Sequence, residues 1–177
     1  MAMTNASFLG EVSVLLNNGD ATFGPEQRIS SGYATIGIAA ADLDGDGDVD
    51  LAVGGLNSTF FTSEIALLAN NGAGSFTVAG SVQPSPTEYI GAPFVVAGDL
   101  DGDGDADLVA AGGISVSHVV LLNQGALTFT QASYIGGFGS VNLTLADHDG
   151  DGDLDLYSAT QGSSSTGDVS YFVNQGD

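Results

Sequence analysis

The chain has 177 residues, enough for one ordinary domain, and 43% of them are apolar, so it can bury a core. Its formal net charge is −21 because 22 acidic residues oppose a single arginine, Arg28, with no lysine; such a charge disfavours nucleic acid and anionic membrane surfaces as partners. The absence of cysteine excludes disulfides, thiolate metal sites and cysteine nucleophiles, and no apolar run is long enough to predict a membrane span.

The predicted elements, taken along the chain, are short strands. A hairpin signal, Leu-Leu-Asn-Asn-Gly-x-x-x-Phe, occupies residues 15–23, and apolar runs at 35–41 and 51–55 then flank an acidic segment. A further run at 64–68, a second Asn-Asn-Gly and a run at 75–79 follow. Asn-Gly between apolar runs predicts a hairpin with a type I′ turn. No segment has a sustained helical period, so the unit is predicted to be a four-stranded antiparallel meander.

This unit recurs. The first Asn of each hairpin motif is at 17, 70, 123 and 174, and the acidic segments begin at 42, 99 and 147. Repeated four-stranded units of this length predict an all-β fold, a β-propeller with about three to three and a half blades in the chain. We expect one partial propeller domain over residues 1–177, with units near 1–30 (a partial blade), 31–83, 84–135 and 136–177 (a truncated blade). The acidic loop joins strands one and two of each unit, and the Asn-Gly loop joins strands three and four.

The acidic residues are concentrated in three nine-residue loops, which hold fifteen of the 22. Five carboxylates so close together repel one another unless a cation compensates them, which predicts three calcium sites, since calcium takes oxygen ligands and Gly at position 6 permits a tight curl. The metal-ligating candidates are Asp42, Asp44, Asp46, Asp48, Asp50, Asp99, Asp101, Asp103, Asp105, Asp107, Asp147, Asp149, Asp151, Asp153 and Asp155. Positions 1, 3, 5 and 9 are expected to ligate through side chains, and position 7 (Asp48, Asp105, Asp153) through its main-chain carbonyl.

Other metals and other calcium loops fit less well. Magnesium demands strict octahedral geometry and keeps its waters, and zinc or iron would require His or Cys ligands. An EF-hand would need Glu at position 12, where the loops have Val53, Ala110 and Ser158, and helical flanks. Dockerin-type loops also lie on helices, and thrombospondin-type repeats contain cysteines.

With these motifs the chain resembles the FG-GAP/VCBS repeat family. The resemblance is carried by the Asp-x-Asp-x-Asp-Gly-x-x-Asp loops, the Leu-Leu-Asn-Asn-Gly-x-x-x-Phe hairpin, Gly91-Ala92-Pro93 and Phe138-Gly139. It implies blades of an integrin-α-like β-propeller with a calcium loop between the first two strands. Complete propellers of this family have about seven blades. The resemblance therefore implies one of two alternatives. Either copies of the chain self-associate, as a homodimer or higher oligomer, to close a ring, or the chain is a piece of a longer protein.

The expected function is a calcium-binding module for adhesion or recognition outside the cell, secreted or at the cell surface, with calcium mainly structural and a protein or glycan as ligand. The alternative is a lectin that uses inter-blade pockets, with Tyr33, Tyr89 and Tyr134 as candidate sugar-stacking residues. An enzyme is not expected, because side chains suited to acid–base catalysis are scarce and His118 and His148 are predicted to be isolated histidines. A hydrolase is the weakest alternative.

Overall fold

The structure of the protein is a computed structural model. It describes residues 2–5, 10–57, 59–85, 91, 93–112, 117–136, 139–160 and 167–176. Three residues named above, Tyr89, Ala92 and Phe138, lie outside the described residues. Within the described part there is no helix with the length and hydropathy that a membrane span requires.

Every element in the described ranges is a β-strand, and the strands form four antiparallel sheets. The first sheet contains β1 (Ala2–Asn5), β2 (Glu11–Val14) and β3 (Gln27–Ser30). The second contains β4 (Ala34–Ala41), β5 (Asp50–Asn57), β6 (Thr62–Asn70) and β7 (Phe76–Val82). The third contains β8 (Pro93–Gly98), β9 (Asp107–Gly112), β10 (Ser117–Asn123) and β11 (Phe129–Gly136). The fourth contains β12 (Ser140–Ala146), β13 (Asp155–Thr160) and β14 (Asp168–Phe172).

The all-β prediction is confirmed, and so is the four-stranded antiparallel meander for the second and third sheets. The first and fourth sheets have three strands each in the described residues, and no sheet closes into a ring. The acidic segments connect β4 to β5, β8 to β9 and β12 to β13, as expected from the repeat.

The Asn-Gly hairpins differ from the predicted two-residue type I′ turn. β6 ends at Asn70 and β7 begins at Phe76, and the third sheet repeats this arrangement between Asn123 and Phe129. The type I′ prediction was wrong because the Asn side chains bond the loop itself: Asn71 accepts hydrogen bonds from the amides of Ala73 and Ser75. Such side-chain bonds stabilise a wider connection than a tight turn.

The apolar core lies between the sheets. One buried cluster, with Val12 and Val53 at its centre, joins the first sheet to the second. A second, with Leu67 and Leu108, joins the second sheet to the third, and a third, with Val109 and Leu156, joins the third to the fourth. The two middle sheets therefore bury both faces, which is why their central strands are apolar without alternation.

The first strands of neighbouring sheets also pack against each other, β4 against β8 and β8 against β12. At the contact of β4 and β5 with β8, a Cβ on Gly37 or Gly54 would collide with the main-chain carbonyl of Pro93. Glycine at these positions allows the close approach of two backbones. The small residues of the first strands thus position the sheets, and with them the acidic loops.

Candidate metal centres

Position 1 of each acidic loop organises the curl. Asp42 accepts hydrogen bonds from the amides of Gly45 (2.8 Å) and Gly47 (2.9 Å), one on each carboxylate oxygen. The same pair of bonds recurs at Asp99 and at Asp147. Because each carboxylate holds the amides of positions 4 and 6, it folds the chain back over itself. The loop thus has a defined shape fixed by its own residues.

Position 9 fastens the loop to the hairpin. Asp107 is fully buried and accepts the amide of Leu100 at 2.9 Å on one oxygen and the amide of Asn123 at 2.8 Å on the other. Asp50 and Asp155 are buried and bonded in the same way. A buried carboxylate is tolerated only when such donors or a cation compensate its charge. Each position-9 aspartate therefore joins the acidic loop to the Asn of its own sheet's hairpin motif.

The structure brings together positions 1, 3 and 9 of each loop. One carboxylate oxygen from each of the three lies within 4.8 Å of the others. The three sets are Asp42, Asp44 and Asp50; Asp99, Asp101 and Asp107; and Asp147, Asp149 and Asp155.

Positions 5 and 7 do not belong to these sets. At position 5, Asp46, Asp103 and Asp151 each accept the amide of the position-7 residue. At position 7, the Asp48 carboxylate lies against Gly72 of the hairpin loop, and Asp153 lies against Gly176. The side-chain role predicted for position 5 and the carbonyl role predicted for position 7 stay predictions.

Three of the carboxylates have a raised pKa. For Asp44 and Asp149 the main cause of the raised pKa is loss of solvation, followed by repulsion from Asp50 and Asp151 respectively. Burial also raises the pKa of Asp107, and the amides of Asn123 and Leu100 oppose that rise. A raised pKa means that the protein's own groups do not fully compensate the negative charge of these carboxylates.

The hairpin Asn also connects adjacent sheets, a contact that sequence analysis missed. The Asn123 side-chain amide donates to the carbonyl of Leu43 (3.0 Å) in the loop of the preceding sheet and to Ala106 (3.1 Å) in its own loop. Asn174 makes the equivalent bond to Leu100 at 2.8 Å. The strict recurrence of Asn at the start of the hairpin motif was the signal for this role.

The loops also need a second glycine that the sequence analysis did not assign. Position 4 has positive φ in every loop, 80° at Gly45, 77° at Gly102 and 83° at Gly150, as position 6 does. Residues other than glycine are strained there, so the Gly-x-Gly spacing is required by the curl.

The two histidines are not isolated. His118 is fully buried between the third and fourth sheets, where Nε2 lies 2.9 Å from Ser140 Oγ and 3.0 Å from Ser158 Oγ. His148 is exposed beside Tyr171 and Tyr157, and it is hydrogen-bonded to Tyr157.

Two of the tyrosines suggested for sugar stacking have hydrogen-bond partners. Tyr33 donates a hydrogen bond to Ser81, and Tyr134 is hydrogen-bonded to Ser85.

The donor sets fit calcium. They contain only oxygen, which a hard cation prefers. A carboxylate oxygen that accepts one amide retains another lone pair, so the loop bonds do not block ligation. The single arginine does not neutralise the loops, because Arg28 is paired with Glu26 at 3.1 Å and Glu11 at 3.4 Å in the first sheet. The residues present could thus hold a divalent cation in each loop.

Comparison with known proteins gives the family and one structural relative. No curated protein matches the sequence. A solved lectin of Agrocybe aegerita, described for specific recognition of non-reducing terminal N-acetylglucosamine, is 21% identical and superposes with a TM-score of 0.53. The match covers 98% of this chain but 49% of the lectin chain, so this chain spans about half of its relative, and the likeness concerns the fold. The model of the FG-GAP-like repeat matches residues 2–53, 56–110 and 99–158, and the chain therefore belongs to the FG-GAP-like repeat family.

Proposed function

We propose that this chain is a calcium-binding β-propeller repeat module that serves adhesion or recognition outside the cell, with calcium in a structural role. The observation that carries the proposal is the threefold gathering of position-1, position-3 and position-9 carboxylates. A cation held there would compensate charge between the first two strands of a sheet. Calcium loops of extracellular modules bind with Kd of about 10⁻⁴ to 10⁻³ M, which matches extracellular calcium.

The propeller part of this proposal is supported by the repeat and by the stacking of four sheets with their first strands together. An enzymatic role is not proposed, because the sequence has no lysine or cysteine and one arginine, and its carboxylates are gathered in loops that suit a cation.

Calcium titration tests the proposal. For Kd of about 10⁻⁴ to 10⁻³ M, calcium at about 10 mM stabilises the folded chain by roughly 1.4 to 2.7 kcal/mol per site. We expect a higher melting temperature with calcium than with a chelator, and heat of binding in calorimetry. Identical melting curves in the two conditions would contradict the proposal.

A matched variant makes the test specific. Asp44→Ala, Asp101→Ala and Asp149→Ala together remove one carboxylate from each set, and each of these carboxylates accepts a local hydrogen bond from the amide two residues later. The triple variant should fold and lose most of the calcium response. A response that survives in full would place the ion outside the three sets.

Glycan binding is a second candidate, favoured by the Agrocybe aegerita lectin that shares the fold. The test is calorimetry and a glycan array, with N-acetylglucosamine as the first probe. Saturable binding to a terminal sugar would favour it, and an array without signal would leave the protein ligand as the candidate.

We also propose that copies associate to close a ring. The outer face of the fourth sheet exposes Val169 (74%) and Tyr171 (56%), while Phe23 is 46% exposed at the first sheet. Light scattering should then give about 35 kDa, twice the 17.6 kDa of one chain. A mass of one chain at high protein concentration would contradict association.

A further inference from the structure

The hairpin loops at residues 17–23 and 70–76 share the sequence Asn-Asn-Gly. Asn18 and Asn71 each precede a glycine, and both Asn-Gly pairs are exposed. Such a pair is able to react with itself, because the glycine amide nitrogen is close to the asparagine side-chain carbonyl carbon and no glycine side chain obstructs the attack. The third sheet has Gln124 at this place, whose longer side chain would have to close a larger ring.

The glycine amide, which is the nucleophile of this reaction, differs between the two loops. In the first loop, Gly19 donates its amide hydrogen to Asn17 Oδ1 at 2.9 Å. In the second loop, the amide of Gly74 donates to the equivalent acceptor, Asn70 Oδ1, at 3.2 Å. Among the residues that the structure describes, the Gly72 amide has no acceptor. A bonded amide must leave its acceptor before it attacks, so Gly72 is the better placed nucleophile.

The side-chain amide that is attacked also differs. Asn71 Oδ1 accepts hydrogen bonds from the amides of Ala73 and Ser75, at 3.0 and 3.2 Å. These donors stabilise the negative charge that the oxygen gains on attack. In Asn18 the bonded atom is Nδ2, the leaving group, which donates to Thr22 Oγ1 at 2.9 Å. Asn71 is therefore activated at its carbonyl, whereas Asn18 is restrained at its leaving group.

We propose that Asn71-Gly72 is a site of spontaneous covalent modification, with the main chain as nucleophile and water as co-reactant. The Gly72 amide nitrogen gives its proton to a solvent base and forms a bond to Cγ of Asn71. The Asn71 nitrogen Nδ2 takes up a proton and leaves with its bonding electrons as ammonia, which completes a succinimide ring. Water then opens the ring at either C–N bond and leaves aspartate or isoaspartate, so no oxidant or reductant is needed.

The new charge arises beside the first acidic loop. The Asp48 carboxylate lies against Gly72, where it would collide with an added Cβ. The main-chain amide of Asn70 donates to Asp50, and its side chain donates to the carbonyl of Val49. Isoaspartate would also lengthen the main chain after Asn70 by a methylene group. The modification thus changes both the charge and the connection of the loop, and it requires no bound calcium.

Peptide mapping by mass spectrometry follows both sites in the same molecule. The 177-residue protein is incubated in chelator at mildly alkaline pH, digested with chymotrypsin at intervals, and analysed for the change from amide to acid at Asn18 and Asn71. We expect Asn71 to convert at least about fivefold faster than Asn18. Fragmentation that distinguishes isoaspartate from aspartate should find both products. Equal rates, faster conversion at Asn18, or aspartate as the sole product overturns the proposal.

The same chain denatured in urea is the control for sequence. There the two Asn-Asn-Gly segments have no fixed hydrogen bonds, so their rates should differ by less than about twofold. A fivefold difference that persists in urea would assign the ordering to sequence and overturn the proposal. So would a folded chain in which Asn71 stays intact while the denatured chain converts.

A variant tests the cause of the difference. Asn17→Ala is at an exposed position and removes the acceptor of the Gly19 amide. Conversion at Asn18 should then rise at least about twofold, because no hydrogen bond holds the nucleophile, while Asn71 keeps its rate as the internal control. Asn17→Asp retains an oxygen acceptor and should keep the slow rate at Asn18. An unchanged rate in Asn17→Ala overturns the proposal, and if that variant unfolds, the comparison with urea decides.

Discussion

The first and third acidic loops have the same internal bonds but different surroundings. In both, position 1 holds the amides of positions 4 and 6, and position 9 holds the amide of position 2 and that of the hairpin Asn. Position 2 differs, since Leu43 is 1% exposed in the core between the second and third sheets whereas His148 is exposed. The shape of the loop is therefore encoded within its own sheet, and its burial comes from the sheet that follows.

The largest expected effect is loss of the position-9 carboxylate. Asp50→Ala in the first loop and Asp155→Ala in the third each remove a buried carboxylate and leave two backbone amides without their acceptor. Hydrogen bonds to charged groups contribute about 1.5 to 3 kcal/mol each, so each variant should lose roughly 3 kcal/mol or more of unfolding free energy. Urea denaturation in the presence of a chelator measures this loss without any contribution from bound metal.

Position 5 supplies the matched controls. Asp46→Ala and Asp151→Ala remove exposed carboxylates that accept one local amide bond each, so the loss should stay below about 1 kcal/mol. If Asp155→Ala were as mild as Asp151→Ala, the third loop would not be held as the first is, and the comparison between the loops would fail.

Exchanging the residues at position 2 should give a smaller loss of stability, and mainly in the first loop. Leu43→His places an imidazole in a core that contains Leu108 and Val119, and we expect a loss of about 2 to 3 kcal/mol. The reverse change, His148→Leu, is at an exposed position and removes the hydrogen bond to Tyr157, so the loss should stay below about 1 kcal/mol. Thermal and urea unfolding of the two variants gives the comparison. Equal losses would show that position 2 acts through the loop and not through the next sheet.

The sequence predicted what is local and repeated. Three aspartates of each predicted loop come together, and the strands that flank the loops lie where the apolar runs and turn residues predicted them. It did not predict that Asn123 would donate to Leu43, 80 residues earlier, because such a bond depends on how two sheets stack. It likewise described His118 as isolated, since the partners Ser140 and Ser158 belong to the next sheet. Contacts between sheets are encoded by pairs of positions that no local pattern marks.

The smallest expected effect is a pH dependence that originates at the contact between the third and fourth sheets. Burial lowers the pKa of His118 below its ordinary 6.5, while the carbonyl of Ile135 opposes that shift. Between the lowered pKa and about 6.5, the unfolded chain binds a proton that the folded chain does not, so stability falls as the pH drops below about 6.5. Besides the Ile135 carbonyl, the groups nearest the ring are the neutral hydroxyls of Ser140 and Ser158 and the ring of Phe172, and none of them carries a charge that would compensate an imidazolium. Melting temperatures of the unmodified chain and of His118→Asn, measured in chelator from pH 7.5 to 5.5, isolate this contribution because the acidic loops are common to both. The unmodified chain should lose more stability than the variant across that interval, and parallel curves would show that the buried histidine does not govern the acid sensitivity of this contact.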